Sequence, residues 1–216
     1  MARTPKSAGM LARRKASKVA LKRVLIVCEG IRTEPLYFRD MIATLELTSA
    51  QVDVEPSTST CPANLVRYAE KRKREEDFDA VYCVFDKDTH EHFPDAIARL
   101  KGFKGRKIAL NIEAIYSIPC FELWLLLHDG FSTKAYLTAT ELINDLKKSE
   151  RFANYVKAKR GIFQATRKDL KTALKHARKL DGSGDDFGLS NPLTKVYRLV
   201  EELFNLSEEQ DKLLTD

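Results

Sequence analysis

The sequence predicts an α/β fold: a parallel four-stranded sheet between helices, with a C-terminal helical extension. Two short apolar runs, Val24 to Cys28 and Val81 to Phe85, are rich in β-branched and aromatic residues and each ends in charge. Such runs mark central strands buried on both faces. Stretches of helical periodicity separate the candidate strands at crossover length, which calls for a parallel sheet covered on both sides. After Tyr116 the pattern becomes helical throughout.

The elements follow in order. Residues 1–20 read as a basic tail, and Arg23 to Cys28 as strand one. The turn Glu29-Gly30-Ile31-Arg32 leads to Thr33, a favourable N-cap, with Glu34 and Pro35 in the first helical turn. Leu36, Tyr37, Phe38, Met41, Ile42 and Leu45 then keep helical spacing to about Leu47. Gln51 to Val54 alternates like an outer strand, and Asn64 to Glu76 is a helix with a heavily charged face. Asp79 to Phe85 is strand three, Asp95 to Leu100 a short helix and Arg106 to Ile112 strand four. Helices are expected over Pro119 to Leu127, Thr140 to Ser149, Thr166 to Leu180 and Pro192 to Leu206, with a turn-rich link from Asp181 to Gly188. The expected divisions are therefore a tail over 1–20, an α/β core over 21–116 and a helical region over 117–216.

Composition narrows the class. Apolar residues make up 44% and charged residues 31% of 216, a soluble globular balance. The net charge of +6 favours polyanionic partners. From Met1 to Cys28 there are eight basic residues and no acidic one, so the tail is either a solvated arm or a contact for phosphate backbone. No run approaches the ~20 apolar residues of a membrane span. No signal-peptide pattern precedes strand one, and the four cysteines lack Cys-x-x-Cys spacing and read as reduced. The expected location is cytoplasmic, without membrane contact.

The chemistry centres on acids after strands. In a parallel sheet the carboxyl ends of the strands form the ligand crevice, at the point where strand order reverses. Glu29 after strand one and Asp86 and Asp88 after strand three would meet there as hard oxygen donors for Mg²⁺ or Mn²⁺ and a phosphate substrate. Gly30 would supply a positive φ or a close approach for phosphate. Glu122 lies in an otherwise apolar helix, so it needs compensation: either an ion pair with an arginine or a metal role. His128 is expected to cap that helix as a cation, and His90-Glu91-His92 to be solvated loop. Arg167, Lys171, Lys175 and Arg178 share one helical face, which is either simply solvated or a ridge for a polyanionic strand.

Four motifs resemble the RloB-like family: Val-Cys-Glu-Gly-x-x-Thr-Glu-x-x-Tyr-Phe (Val27 to Phe38), Val-Phe-Asp-Lys-Asp (Val84 to Asp88), Ser-x-Pro-Cys-Phe-Glu-Leu-Trp-Leu-Leu-Leu-His (Ser117 to His128) and Asn-Pro-x-Thr-x-Val-Tyr (Asn191 to Tyr197). Ile118 and Leu193 stand where that family commonly has Asn and Ser. The resemblance implies a Toprim-like core in prokaryotic restriction and abortive-infection loci, often beside an ATPase of AAA or ABC type. It also implies Glu29, Asp86 and Asp88 as the Toprim acids. The expectation is a Mg²⁺- or Mn²⁺-dependent nuclease of DNA or RNA in anti-phage defence. Asp86 and Asp88 would hold metal, Glu29 would complete its shell or act as general base or acid, and Glu122 would be a further ligand. Gly30, Arg32, Arg167, Lys171 and Lys175 would bind substrate. The alternative is a non-catalytic nucleic-acid or nucleotide sensor for a partner ATPase; a small-ester phosphatase would leave the basic tail unused.

Overall fold

The computed structural model describes residues 21–47, 49–57, 59, 61–87, 92–104, 110–182 and 190–207. The expected tail, Asp88, His90 and Glu91 lie outside the described residues. The chain alternates strand and helix first: β1 (Lys22–Cys28), α1 (Thr33–Leu45), β2 (Ala50–Pro56), α2 (Pro62–Glu75), β3 (Ala80–Asp86), α3 (Phe93–Lys104) and β4 (Ile112–Ile118). Then come α4 (Glu122–Leu126), α5 (Ala139–Leu146), α6 (Ile162–Thr166), α7 (Leu170–Gly182), β5 (Leu193–Thr194) and α8 (Val196–Asn205).

The sheet order is β2-β1-β3-β4-β5. The first four strands are parallel, as expected, with β1 and β3 as neighbours. The order reverses between them, so the crevice opens at the ends of these two strands. A fifth strand corrects the expected count: Leu193 and Thr194 pair antiparallel with Ile118 and Ser117. Their side chains reinforce the pairing through a 2.9 Å hydrogen bond between the Ser117 and Thr194 hydroxyls. Two residues carry no readable alternation, which is why the sequence pattern runs Pro192 into the following helix. The sheet is therefore mixed, flanked by helices, with a C-terminal helical extension.

Side chains alternate cleanly across the sheet. Val24, Ile26 and Cys28 join α1 and the C-terminal helices in one core, around Trp124 and Tyr37. Leu25 and Val27 join α2 and α3 in a second core, with Phe85, Phe93 and Tyr116. Both faces are covered, so β1 from Val24 to Cys28 and β3 from Ala80 to Phe85 are apolar throughout and stop where the crevice begins.

Three expected boundaries move. Strand four begins at Ile112 rather than ending there, and pairs Val81↔Ile112 through Asp86↔Ser117. Glu113 breaks its apolar run and meets Arg198 of α8 at 3.6 Å, so the strand looks polar until its partner is known. The helix expected over Pro119 to Leu127 is regular only from Glu122 to Leu126. The helix expected from Thr166 starts at Leu170, after a 3₁₀ turn over Arg167–Asp169. Thr166 causes the break by turning its hydroxyl back onto the Ile162 carbonyl at 2.9 Å.

Candidate functional site

The β1–β3 register sets Cys28 opposite Val84. The ladder runs one residue further, with the Glu29 amide donating to the Val84 carbonyl at 2.8 Å. Glu29 therefore leaves the sheet level with the end of β3, and its Oε2 accepts the Asp86 amide at 3.1 Å. Two of the three expected acids are thus brought together by backbone pairing alone. Asp88 lies outside the described residues.

A cleft of about 610 Å³ opens there, lined by Glu29, Gly30, Arg32, Glu34, Asp86, Glu122 and Lys157 among others. Gly30 does not have the positive φ expected of it. Its missing side chain instead leaves room for a carboxylate, because a Cβ at Gly30 would overlap that of Glu34. Glu34, assigned from sequence only to the first turn of α1, is a buried member of the cleft at 7% exposure.

Thr33 is not the N-cap of α1. The cap position is Arg32, and it makes no side-chain capping bond. The Thr33 hydroxyl instead accepts the Ala158 amide at 3.1 Å. Ala158 holds a left-handed backbone at φ 67°, a conformation that costs a non-glycine residue roughly 1–3 kcal/mol. This contact docks the segment carrying Tyr155 and Lys157 at the mouth of the cleft. No local pattern could have announced Lys157, since 125 positions separate Thr33 from Ala158.

Glu122 is 2% exposed. Its Oε1 accepts the Tyr155 hydroxyl at 3.0 Å and lies 3.8 Å from Lys157 Nζ. Among the described residues its cation is thus a lysine and not the arginine considered from sequence. Burial pushes the Tyr155 phenol well up, and the Glu122 charge pushes it further.

Electrostatics tie these acids into one group. Burial raises the Asp86 carboxyl well above the usual range, and the charges of Glu34, Glu122 and Glu29 add to the rise, opposed by a hydrogen bond from the Phe121 backbone. Burial pushes Glu34 up to about 7, with Glu122 and Glu29 again adding. Burial alone would lower the Lys157 ammonium, but the surrounding acids, Glu122 foremost, hold it above its ordinary value. Among the described residues, no group of three or more His, Cys, Asp or Glu side chains is one that could hold a metal ion.

The remaining expected contacts separate. Arg32 is exposed and lines the cleft. Arg167, Lys171 and Lys175 are not among the lining residues. Lys171 and Lys175 are exposed on α7, while Arg178 is turned to Glu201 at 2.8 Å. His128 is 3% exposed and bonds the Trp124 carbonyl through Nδ1 at 2.9 Å. Burial lowers its pKa to about 4, so it caps the helix as a neutral imidazole and not as the expected cation. His92 sits 3.4 Å from Asp95 at the start of α3. No described helix is long and apolar enough to cross a membrane.

A search of curated proteins finds no match to the chain, and a search of solved structures finds none. A family model does match, over residues 24–203, from the first buried strand to the last helix. That span includes Glu29, Glu34, Asp86, Glu122 and Lys157, and on it the chain belongs to the RloB-like protein family.

Proposed function

We propose that the chain is a Toprim-type nuclease, hydrolysing phosphodiester bonds with Mg²⁺ or Mn²⁺ in prokaryotic anti-phage defence. One observation carries this reading: Glu29, Glu34, Asp86 and Glu122 line a single cleft at the switch point of the sheet, where burial and the neighbouring acids raise the proton affinity of Glu34 and Asp86. Mutual repulsion among buried carboxylates is unfavourable unless a cation is expected. Their hard oxygens suit a divalent ion, although the described side chains alone do not form a complete ligand set. Asp86 and Glu29 would hold it together with Asp88, which the family resemblance assigns to the same set, while Glu34 and Glu122 would add negative charge to the cleft around it.

When bound, such an ion supplies Lewis-acid polarisation of phosphate and a more acidic water. The chain itself supplies the rest. Glu29 would complete the ion's shell or act as general base or acid toward the attacking water. Lys157, kept charged by its acidic neighbours, stabilises negative charge growing on the phosphate. Arg32 at the rim is the phosphate clamp. A tyrosine nucleophile is disfavoured, because the phenol nearest the acids, Tyr155, is buried and donates to Glu122.

The test is cleavage of labelled single- and double-stranded DNA and RNA with Mg²⁺, Mn²⁺ or EDTA, with and without a partner ATPase. Asp86→Asn should reduce metal-dependent cleavage by at least ~100-fold while leaving the fold intact. Undiminished cleavage by this variant would sink the catalytic assignment. The absence of a complete ligand set among the described residues favours a second reading, a nucleic-acid or nucleotide sensor for a partner ATPase. In that case the wild-type chain binds nucleic acid without cutting it, and the ATPase changes activity when the complex forms.

A further inference from the structure

Large apolar side chains left in water are ordinary when scattered, so their position is what informs. Among the described residues five stand out: Leu21, Ile31, Phe131, Leu137 and Val156. Two of them, Ile31 at 67% exposure and Val156 at 62%, belong to the two segments that meet at the mouth of the acidic cleft. The hydrogen bond from the Ala158 amide to the Thr33 hydroxyl joins those segments. Ile31 precedes Thr33 by two residues and Val156 precedes Ala158 by two. The α-carbon of each aliphatic therefore lies within about 7 Å of that of the joint residue on its own segment.

Each aliphatic is followed directly by a cation. Ile31 leads to the exposed Arg32, and Val156 leads to Lys157, whose side chain is 61% exposed even though its Nζ lies 3.8 Å from Glu122. Ile31, Arg32 and Lys157 line the cleft, and Val156 adjoins it. Two distant segments thus bring the same apolar–basic pair to one opening. A nucleotide strand carries the matching alternation, a flat base face beside a charged phosphate. The acids lie deeper, since Glu29, Glu34 and Glu122 are all buried. A phosphodiester has to enter the cleft to reach them, which leaves its neighbouring base at the rim. A paired base keeps both faces stacked on its neighbours, whereas an unpaired one can offer them to side chains.

We propose that Ile31 and Val156 form a clamp for an unpaired nucleobase, so that the site takes single-stranded nucleic acid and passes the phosphate beside that base to Arg32 and Lys157. Nucleic acid as the ligand rests on the nuclease reading, although a clamp of this kind serves a sensor equally. Apolar contact with a base face carries no donor or acceptor code, so the clamp selects for strandedness and not for base identity.

The test measures binding of a labelled oligonucleotide to the full chain as a single strand, as a duplex and as a single strand with abasic sites. It is run in EDTA and again with Ca²⁺, a hard cation that takes the same oxygen donors, with the recovered strand checked for cutting. The wild type should prefer the single strand over the duplex by about tenfold or more. Ile31→Ser and Val156→Ser should each weaken the base-bearing strand about tenfold, the loss of one base contact. They should leave the salt slope unchanged, because no phosphate contact is lost, and should not weaken the abasic strand further. Leu137→Ser, at a residue 88% exposed and not among those lining the cleft, is the control and should change nothing. Circular dichroism checks that each variant is folded. Equal binding of duplex and single strand, no binding of the single strand in either condition, or unchanged affinity in both folded rim variants would overturn the clamp. If Asp86→Asn then still abolishes metal-dependent cutting, the nuclease reading stands without it. Rim variants that keep every strand affinity but lose their effect on a partner ATPase would overturn the clamp and identify the rim as a protein contact. A lost base contact in a chain that cuts nothing with Mg²⁺ or Mn²⁺ would leave the clamp in place and overturn the nuclease reading.

Discussion

Two regions of the molecule bury carboxylates, and they treat them in opposite ways. Asp181, on α7, is met by Lys195, by the Tyr197 hydroxyl at 2.6 Å and by Arg198 at 3.0 Å. Burial works against its charge, but these partners win and hold its pKa below the usual value. In the cleft, Glu34 and Asp86 meet mainly other acids, and their pKa values go up. At half-buried Asp181 the cations and the tyrosine outweigh burial, whereas in the cleft burial is the larger cause of the rise and the neighbouring acids add to it. A saturated carboxylate keeps its charge through its partners; a crowded one holds its proton more tightly.

The largest effect should come from the saturated side. Asp181→Ala leaves Lys195 and Arg198 without their shared acceptor and should cost about 3–5 kcal/mol in urea unfolding. A loss below ~1 kcal/mol would mean that the network is solvated and the contrast is illusory.

His128 supplies an intermediate case: burial above all, and the Arg151 charge with it, oppose its proton, and Asp129 favours that proton only weakly. Its pKa falls from 6.5 to about 4, so the folded state resists a proton that the unfolded chain accepts. Stability is fully present above ~6.5 and falls as pH drops toward ~4, by about 3 kcal/mol at the limit. Comparing wild type with His128→Leu at pH 7 and pH 4.5 should show the extra acid sensitivity in the wild type only. Equal acid sensitivity would place the proton elsewhere.

The smallest effect, and the one with the unusual sign, belongs to the cleft. Glu34→Gln removes a charge that its neighbours repel, and in EDTA at pH 8 it should raise stability by about 1 kcal/mol. The gain should vanish below pH 4.5, where the carboxyl is protonated in the folded and the unfolded chain alike. A destabilised variant at pH 8 would show that Glu34 has a cationic partner strong enough to outweigh the acids.

Much of this contrast was readable before the fold. Glu29 and Asp86 follow the two most strand-like runs, and parallel pairing does the rest. Glu122 stood out because a helix apolar on every side cannot turn it to water. Glu34 was hidden, because an acid in a first turn already has a local explanation, and only the space above Gly30 reveals its second role. Lys157 had no signal at all; it arrives through a Thr33–Ala158 contact between distant segments. Asp181 was read as part of a turn-rich link, since nothing local connects it with Lys195 and Arg198. The shift of β4 has the same origin, as Glu113 masks a strand until Arg198 accounts for it.

The two edges of the sheet have a consequence for how copies of this chain can meet. At one side β2 carries Asp53 and Glu55 and ends in Pro56, which has no amide to donate. Glu55 is moreover tied down by Arg72 and by the Tyr68 hydroxyl at 2.8 Å. At the other side β5 is two residues long. A charged, proline-ended edge and a very short one are poor templates for a further strand. Neither β2 nor β5 invites a further strand, so crowding at high concentration should not zip molecules together through these two strands.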